Sequence, residues 1–392
     1  MRARRVIPFR IATAVALAAV IPMQSRAADK KTSSDYLVYV GTYTGPKSQG
    51  IYALKFNSGK GSIAELGLAG EIQNPSFLAL HPNQKYLYAV SELGNNGKNT
   101  ASVSGFSIDA TTGKLKLLNK VATGGGGACH LVVDKTQKML LVANYGTGSV
   151  AAFQVKQDGT LSEVTTLKQH AGSSVNPKRQ RGPHAHAVVL SWDNRFVFVP
   201  DLGLVEIVSY KIDPSDATLT ANDPPFVKLT PGLGPRHFAF HPNNKFAYGL
   251  NEMGSSVSAF SYDARSGALN ILQTVSTLPE GFTGENNSAE IAIDKAGRFL
   301  YASNRGNDSI TQFAIDSRKG TLTKIEITPT QGRTPRNFVI DPTGRYLLAA
   351  NQDSDSIVIF QIDQHSGKLS PTGATAKVPS PVCIQFVPVG NR

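Results

Sequence analysis

Histidine, arginine and glutamate recur along this chain in short loops, and these residue types are suited to moving protons and holding negative charge. Gly182-Pro-His-Ala-His186 carries His184 and His186, Gly234-Pro-Arg-His237 carries Arg236, and Thr334-Pro-Arg-Asn337 carries Arg336. Glu285 and Glu290 bracket a further loop, and a second set reads Asn144-Tyr145, Asp201, Asn251-Glu252, Asn304-Arg305 and Asn351-Gln352. A neutral His or an ionised Glu can serve as general base towards water. An Arg can hold a carboxylate, a phosphate or a developing oxyanion. No G-x-S-x-G elbow is present, which speaks against a covalent acyl-enzyme. No His or Cys spacing matches a zinc site. Glu252, Asn304 and Asp201 offer oxygens to a divalent ion, but Arg305 beside them opposes it, so neither a metal nor a cofactor is expected.

A repeat positions these loops. An apolar strand ending in a small or polar residue occurs seven times, as YLVYVGT from Tyr36, YLYAVSE from Tyr86, MLLVANY from Met139, FVFVPDL from Phe196, FAYGLNE from Phe246, FLYASNR from Phe299 and YLLAANQ from Tyr346. The starts lie 50, 53, 57, 50, 53 and 47 residues apart. Self-similarity at this period, built from strands and turns, marks a propeller. The repeat around Phe246 holds four strand candidates: Arg236–His241, FAYGLN, SSVSAFSYD and ALNILQTV, separated by Gly, Pro, Asn and Asp. The expected fold is therefore all-β, a seven-bladed propeller with four antiparallel strands, A to D from the inside out, in each blade. The C-terminal SPVCIQFVP around Cys383 reads as an A strand with no successors, and the first repeat lacks an A strand. The last segment is expected to complete the first blade, which leaves no open edge.

Strand direction then sorts the loops. Strands alternate in direction, so A–B and C–D loops emerge on one face and B–C and D–A loops on the other. The first face holds generic tight turns such as His81-Pro-Asn83, His241-Pro-Asn243 and His365-Ser-Gly-Lys368, in which His81 and His241 read as turn caps. All the chemistry-bearing loops above fall on the second face, around one mouth of the central channel. Convergent polar groups in a concave site are where function is sought first. Single residues such as Asn144 or Asn351 have an alternative role as ties between blades.

Before Tyr36 the chain reads differently. Arg2, Arg4, Arg5 and Arg10 precede the apolar run Ile11–Pro22, and Ser25-Arg26-Ala27 offers a cleavage site. This is the three-part pattern of a secretory signal peptide, too short to span a membrane well. The Arg4-Arg5 pair hints at twin-arginine export, and a retained anchor is the competing reading. Residues 1–27 are assigned as leader, 28–35 as linker and 36–392 as one propeller domain, with a periplasmic or secreted location. Removing the leader takes away five Arg and no acid and lowers the formal charge from +12 to +7. That charge suits an anionic small molecule, and the absence of a basic-aromatic stripe sets nucleic acid aside. Lys178-Arg-Gln-Arg181 reads as a solvated charge run within a long loop, Gln169 to Gly182, that has the reach to reshape the mouth. Cys129 and Cys383 sit in blades separated by one and are expected to be buried free thiols rather than a disulfide.

YVGTYT at Tyr39, GPHAH at Gly182, GPRHFAFHP at Gly234, YGLNE at Tyr248 and YASNRGNDSI at Tyr301 together resemble the seven-bladed lactonase family. That family includes propeller-type 6-phosphogluconolactonases and fungal carboxymuconate lactonising enzymes, and the resemblance runs from Tyr36 to Pro388. It implies hydrolysis of a lactone and places the proposed catalytic set on His186 (or His184, within the same motif), Arg236, Glu252 and Arg305. His186 and Glu252 would handle protons and the two arginines anionic groups. His184, Asn144, Asp201, Asn304, Arg336 and Asn351 are the expected substrate contacts. The expected partner is an anionic or sugar lactone, the expected state a monomer. Export points away from a phosphorylated cytosolic intermediate. Two other readings compete: an exported binding propeller, since ANYGTGSV from Ala143 and NRGNDSI from Asn304 resemble surface-layer repeats, and a cycloisomerase on carboxymuconate-like diacids. A WD40 scaffold fits less well, because Trp192 is the only Trp.

Overall fold

Every residue of Phe246–Asn251 is buried, the mark of an inner strand packed on both faces. It pairs antiparallel with Pro235–Phe240 on one side and with Ser256–Asp263 on the other, and the mostly exposed Ala268–Ser276 forms the outer edge. The computed structural model repeats this order in seven four-stranded sheets, the seven-bladed propeller that the repeat predicts. It describes residues 1–3, 6, 8 and 35–389. The expected leader over 1–27 and linker over 28–35 lie, those few positions apart, outside the described residues. Blades one to seven are counted here by their second strands: Asp35–Thr42, Tyr86–Ser91, Met139–Asn144, Phe196–Asp201, Phe246–Asn251, Phe299–Arg305 and Tyr346–Asn351.

Closure follows the expected route. Pro381–Pro388 pairs antiparallel with Asp35–Thr42, Tyr36 opposite Pro388 and Val40 opposite Ile384, so blade one is built from both ends of the propeller. A single three-residue turn of 3-10 helix, Gln352–Ser354, is the one helical element among the described residues.

The cores lie between blades. Tyr88 and Val90 of blade two, for example, pack with Leu140, Val142 and Phe153 of blade three. A polar tie accompanies this packing: Tyr88, Tyr248 and Tyr301 each donate a hydroxyl hydrogen bond of 3.0 Å to a glycine carbonyl (Gly159, Gly320, Gly367) in the C–D turn of the next blade. Gly320 has φ +72°, and a Cβ there would lie 2.3 Å from the Phe246 ring. Both the left-handed backbone and the aromatic neighbour demand glycine. On the same face His81 and His241 accept hydrogen bonds at Nδ1 from the backbone N–H of Asn83 and Asn243, and His241 Nε2 reaches the Gly297 carbonyl at 2.8 Å. They are turn caps. Cys129 and Cys383 are both buried and free.

Blade four departs from the pattern. Its first strand is only Val189–Leu190, and the preceding strand of blade three ends at Gln169. The chain between them crosses the opposite face.

Candidate active site

Strand alternation decides what reaches the channel mouth. Successive side chains of a strand point to opposite sides. The last residue of the second strand, Thr42, Ser91, Asn144, Asp201, Asn251 or Asn351 and, one before the strand end, Asn304, is fully buried within the blades. The residue after it turns the other way, and in five blades that residue, Tyr43, Glu92, Tyr145, Glu252 or Arg305, lines a cavity of about 350 Å³. Cys129, His186 and Arg336 from first strands and their approaches, together with Asn95, Arg179 and Asn287, complete the lining.

Four of the expected substrate contacts therefore lie behind the wall, one residue out of phase. Asn144 donates to Ser149 Oγ at 3.1 Å, and Asn351 to the Thr330 carbonyl at 3.1 Å. Asn304 donates to the Thr277 carbonyl and accepts from Thr277 Oγ1 at 2.7 Å. Asp201 accepts from the backbone N–H groups of His184, Gly203 and Leu204 and pairs with His170 Nδ1 at 2.7 Å. They bind the loops together. His184 also stays outside the lining; its Nδ1 lies 2.8 Å from the Tyr145 carbonyl and its ring stacks on Tyr145 at 4.5 Å.

The predicted His, Glu and two Arg do come together. Glu252 is buried, with Arg236 Nε 3.1 Å and Arg305 Nη2 3.0 Å from its Oε2. The Arg236 contact is an ion pair whose angle falls short of a hydrogen bond. Burial alone would raise the Glu252 pKa, but Arg305, Arg236 and Arg179 together outweigh it and pull the carboxyl down to about 2. Arg236 is buried among cations, and burial with repulsion from Arg336 and Arg305 lowers it to about 10. His186 Nε2 lies 4.0 Å from Glu252 Oε2. Burial and the positive field of Arg236 hold the His186 imidazole well below its ordinary range, so it is neutral at pH 7. Beneath it, His237 Nδ1 bonds Glu290 Oε1 at 2.8 Å, and Asn337 donates to the other oxygen of Glu290.

Arg179 is the third arginine on Glu252, and it corrects the reading of Lys178–Arg181 as a solvated run. Its Nη2 donates to Glu252 Oε1 at 2.8 Å and to the Tyr145 hydroxyl at 2.9 Å. Asn176 folds the loop by accepting from the N–H groups of Lys178 and Arg179, and the buried Gln180 anchors it by donating to the Leu202 carbonyl.

Across the cavity, in blades one, two and seven, lies a second polar group. Glu92 accepts from the Tyr43 hydroxyl at 2.8 Å and from Asn95 Nδ2 at 3.1 Å, and Arg336 Nη2 stands 3.9 Å from it. The Arg336 guanidinium lies over the Tyr43 ring at 5.2 Å. Sequence reasoning placed Arg336 on this face and passed over Tyr43, Glu92, Asn95, Arg179 and Asn287. A signal for two of them was present: Glu92 and Tyr43 hold the same place after the second strand as Glu252. Among the described residues no cluster of three His, Cys, Asp or Glu is arranged to hold a metal ion.

Three comparisons bear on what such a cavity does. The profile described as "Lactonase, 7-bladed beta-propeller" matches residues 37–386. A Bacillus subtilis protein named 6-phosphogluconolactonase is 35% identical over 352 residues, covering 90% of this chain and 98% of the relative. A protein of the same name from Formosa agariphila is 39% identical over 307 residues, covering 77% and 85%. Among solved structures, a periplasmic gluconolactonase from Pseudomonas aeruginosa is 36% identical with a TM-score of 0.86, covering 91% of this chain and 100% of its own.

Proposed function

Because this chain belongs to the seven-bladed β-propeller lactonase family, we propose that it hydrolyses a sugar-type or anionic lactone in the cavity between Glu252 and Glu92. The observation that carries the reading is a neutral, buried His186, 4.0 Å from Glu252, on a cavity lined by the guanidinium groups of Arg179, Arg305 and Arg336. In this scheme His186 Nε2 takes the proton of a water that attacks the lactone carbonyl carbon. Arg305 stabilises the tetrahedral oxyanion. Collapse breaks the ring C–O bond, and the imidazolium returns its proton to the departing alkoxide. Water is consumed, no bond to the protein forms, and the product is a hydroxy acid that ionises at neutral pH.

Glu252 is engaged on both oxygens by Arg179, Arg236 and Arg305, which hold its carboxyl near 2, and this ion pairing opposes its taking a proton from water. It serves instead as the fixed anion that aligns three arginines and stabilises the imidazolium. The same arginines argue for metal-independent chemistry, because they already occupy the carboxylate and repel a cation. The leader-like N-terminus, together with the likeness to a periplasmic gluconolactonase, supports an exported enzyme.

The test is turnover of a lactone panel by acid release, with and without chelator. Wild-type protein is expected to act on at least one sugar lactone regardless of chelator, and His186→Ala to lose roughly 10²–10⁴-fold in kcat. A silent panel would favour the binding propeller, and an unaffected His186→Ala would remove the base from the scheme.

A further inference from the structure

We propose that Glu92 sets the substrate class by favouring an uncharged polyhydroxy lactone over its phosphate ester. The proposal rests on the lactonase reading above and concerns only which lactone the cavity takes.

The two sides of the cavity differ in charge. On the side of blades four to six, Glu252 faces Arg179, Arg236 and Arg305, a surplus of two positive charges suited to an oxyanion and an ionised product. On the side of blades seven, one and two, Glu92 faces Arg336, and the pair is neutral. A lactone with its carbonyl beside His186 and Arg305 must extend its remaining ring substituents towards this second side, since both line one cavity.

The geometry there fits hydroxyl groups. Tyr43 and Asn95 fix the Glu92 carboxylate by donating to one oxygen each, which leaves further acceptor capacity on both. Arg336 has no side-chain hydrogen bond to protein among the described residues, and it is held over the Tyr43 ring. Its nearest nitrogen stands 3.9 Å from Glu92, so donor and acceptor are adjacent without satisfying each other. A sugar hydroxyl does both at once: it donates to Glu92 and accepts from Arg336. A phosphate dianion only accepts, and it would meet the charge of a buried carboxylate, Glu92, where screening is weaker than in bulk water.

The experiment compares kcat/KM on D-glucono-δ-lactone and on its 6-phosphate, for wild type and for Glu92→Gln. Wild type is expected to prefer the uncharged lactone. Glu92→Gln keeps the shape of the side chain and removes its charge, so the ratio should move towards the phosphate ester by about tenfold or more. A wild-type preference for the phosphate ester, or a ratio unmoved by Glu92→Gln, overturns the proposal. If Glu92→Gln does not fold, Asn95→Lys, at an exposed position beside Glu92, pairs a cation with that carboxylate and should likewise move the ratio towards the phosphate ester; an unchanged ratio there overturns it equally. Wild type inert towards both lactones would refute the lactonase reading itself, and this proposal with it.

Discussion

Replacing Glu252 with Gln removes one charge at nearly constant volume from the centre of three guanidinium groups. Its carboxyl lies at about 2 instead of the ordinary 4.5. At about 1.4 kcal/mol per tenfold change in proton affinity, this difference is worth about 3 kcal/mol of folding stability at neutral pH. A buried ion pair that loses one partner typically costs about 3–5 kcal/mol, which agrees. Because the folded-state value is the lower one, the contribution is complete above 4.5 and is lost as pH falls through 4.5 towards 2. Urea unfolding followed by circular dichroism should therefore find Glu252→Gln less stable than wild type by about 3 kcal/mol at pH 7, the gap narrowing to about 1 kcal/mol near pH 3. The other carboxylates titrate in both proteins and drop out of the difference. A gap that stays constant from pH 7 to pH 3 would refute the assignment of Glu252 as the ionised hub of the site.

Two further outcomes are expected. Arg179→Ala removes a charged hydrogen-bond donor from Glu252 and should lower kcat/KM by about tenfold or more; with 38% of its side chain exposed, it should change unfolding stability by less than about 1 kcal/mol. Arg179→Lys should recover part of the rate, and full activity in Arg179→Ala would make the loop contact incidental. Gly320→Ala should destabilise more than Gly344→Ala, because both have positive φ (+72° and +76°) but only Gly320 meets an aromatic ring. The expected costs, read from thermal or urea unfolding, are about 1 kcal/mol for the backbone alone and roughly 1–3 more for the clash; equal costs would show that the blade contact yields freely.

How much of the site was legible depended on what each residue shares with the repeat. His186, Arg236, Glu252 and Arg305 stand at repeated places beside Gly-Pro or Asn, and counting strand directions puts them on one face. Asn144, Asp201, Asn304 and Asn351 stand at repeated places too, but one position earlier, and a single step along a strand reverses the side chain from cavity to blade interior. Alternation was available in principle; what hid it was that Asn and Asp look as functional as Glu and Arg. Arg179 was hidden for a different reason. It sits in the irregular chain between Gln169 and Val189, where no period applies, and three basic residues among the four of Lys178–Arg181 resemble a solvated surface.

The linear order of residues determined the architecture: seven spaced strands with their turns, the unpaired segments at the two ends, and the face to which each loop belongs. Those are consequences of local periodicity and chain direction, which sequence carries directly. Only the folded ring decided that Glu252 is held by three arginines, that His186 is neutral, and that Glu92 faces them across about 350 Å³ of cavity. Burial and charge at that point depend on side chains drawn together from every blade of the ring. Their distances exist only once the first and last strands have paired.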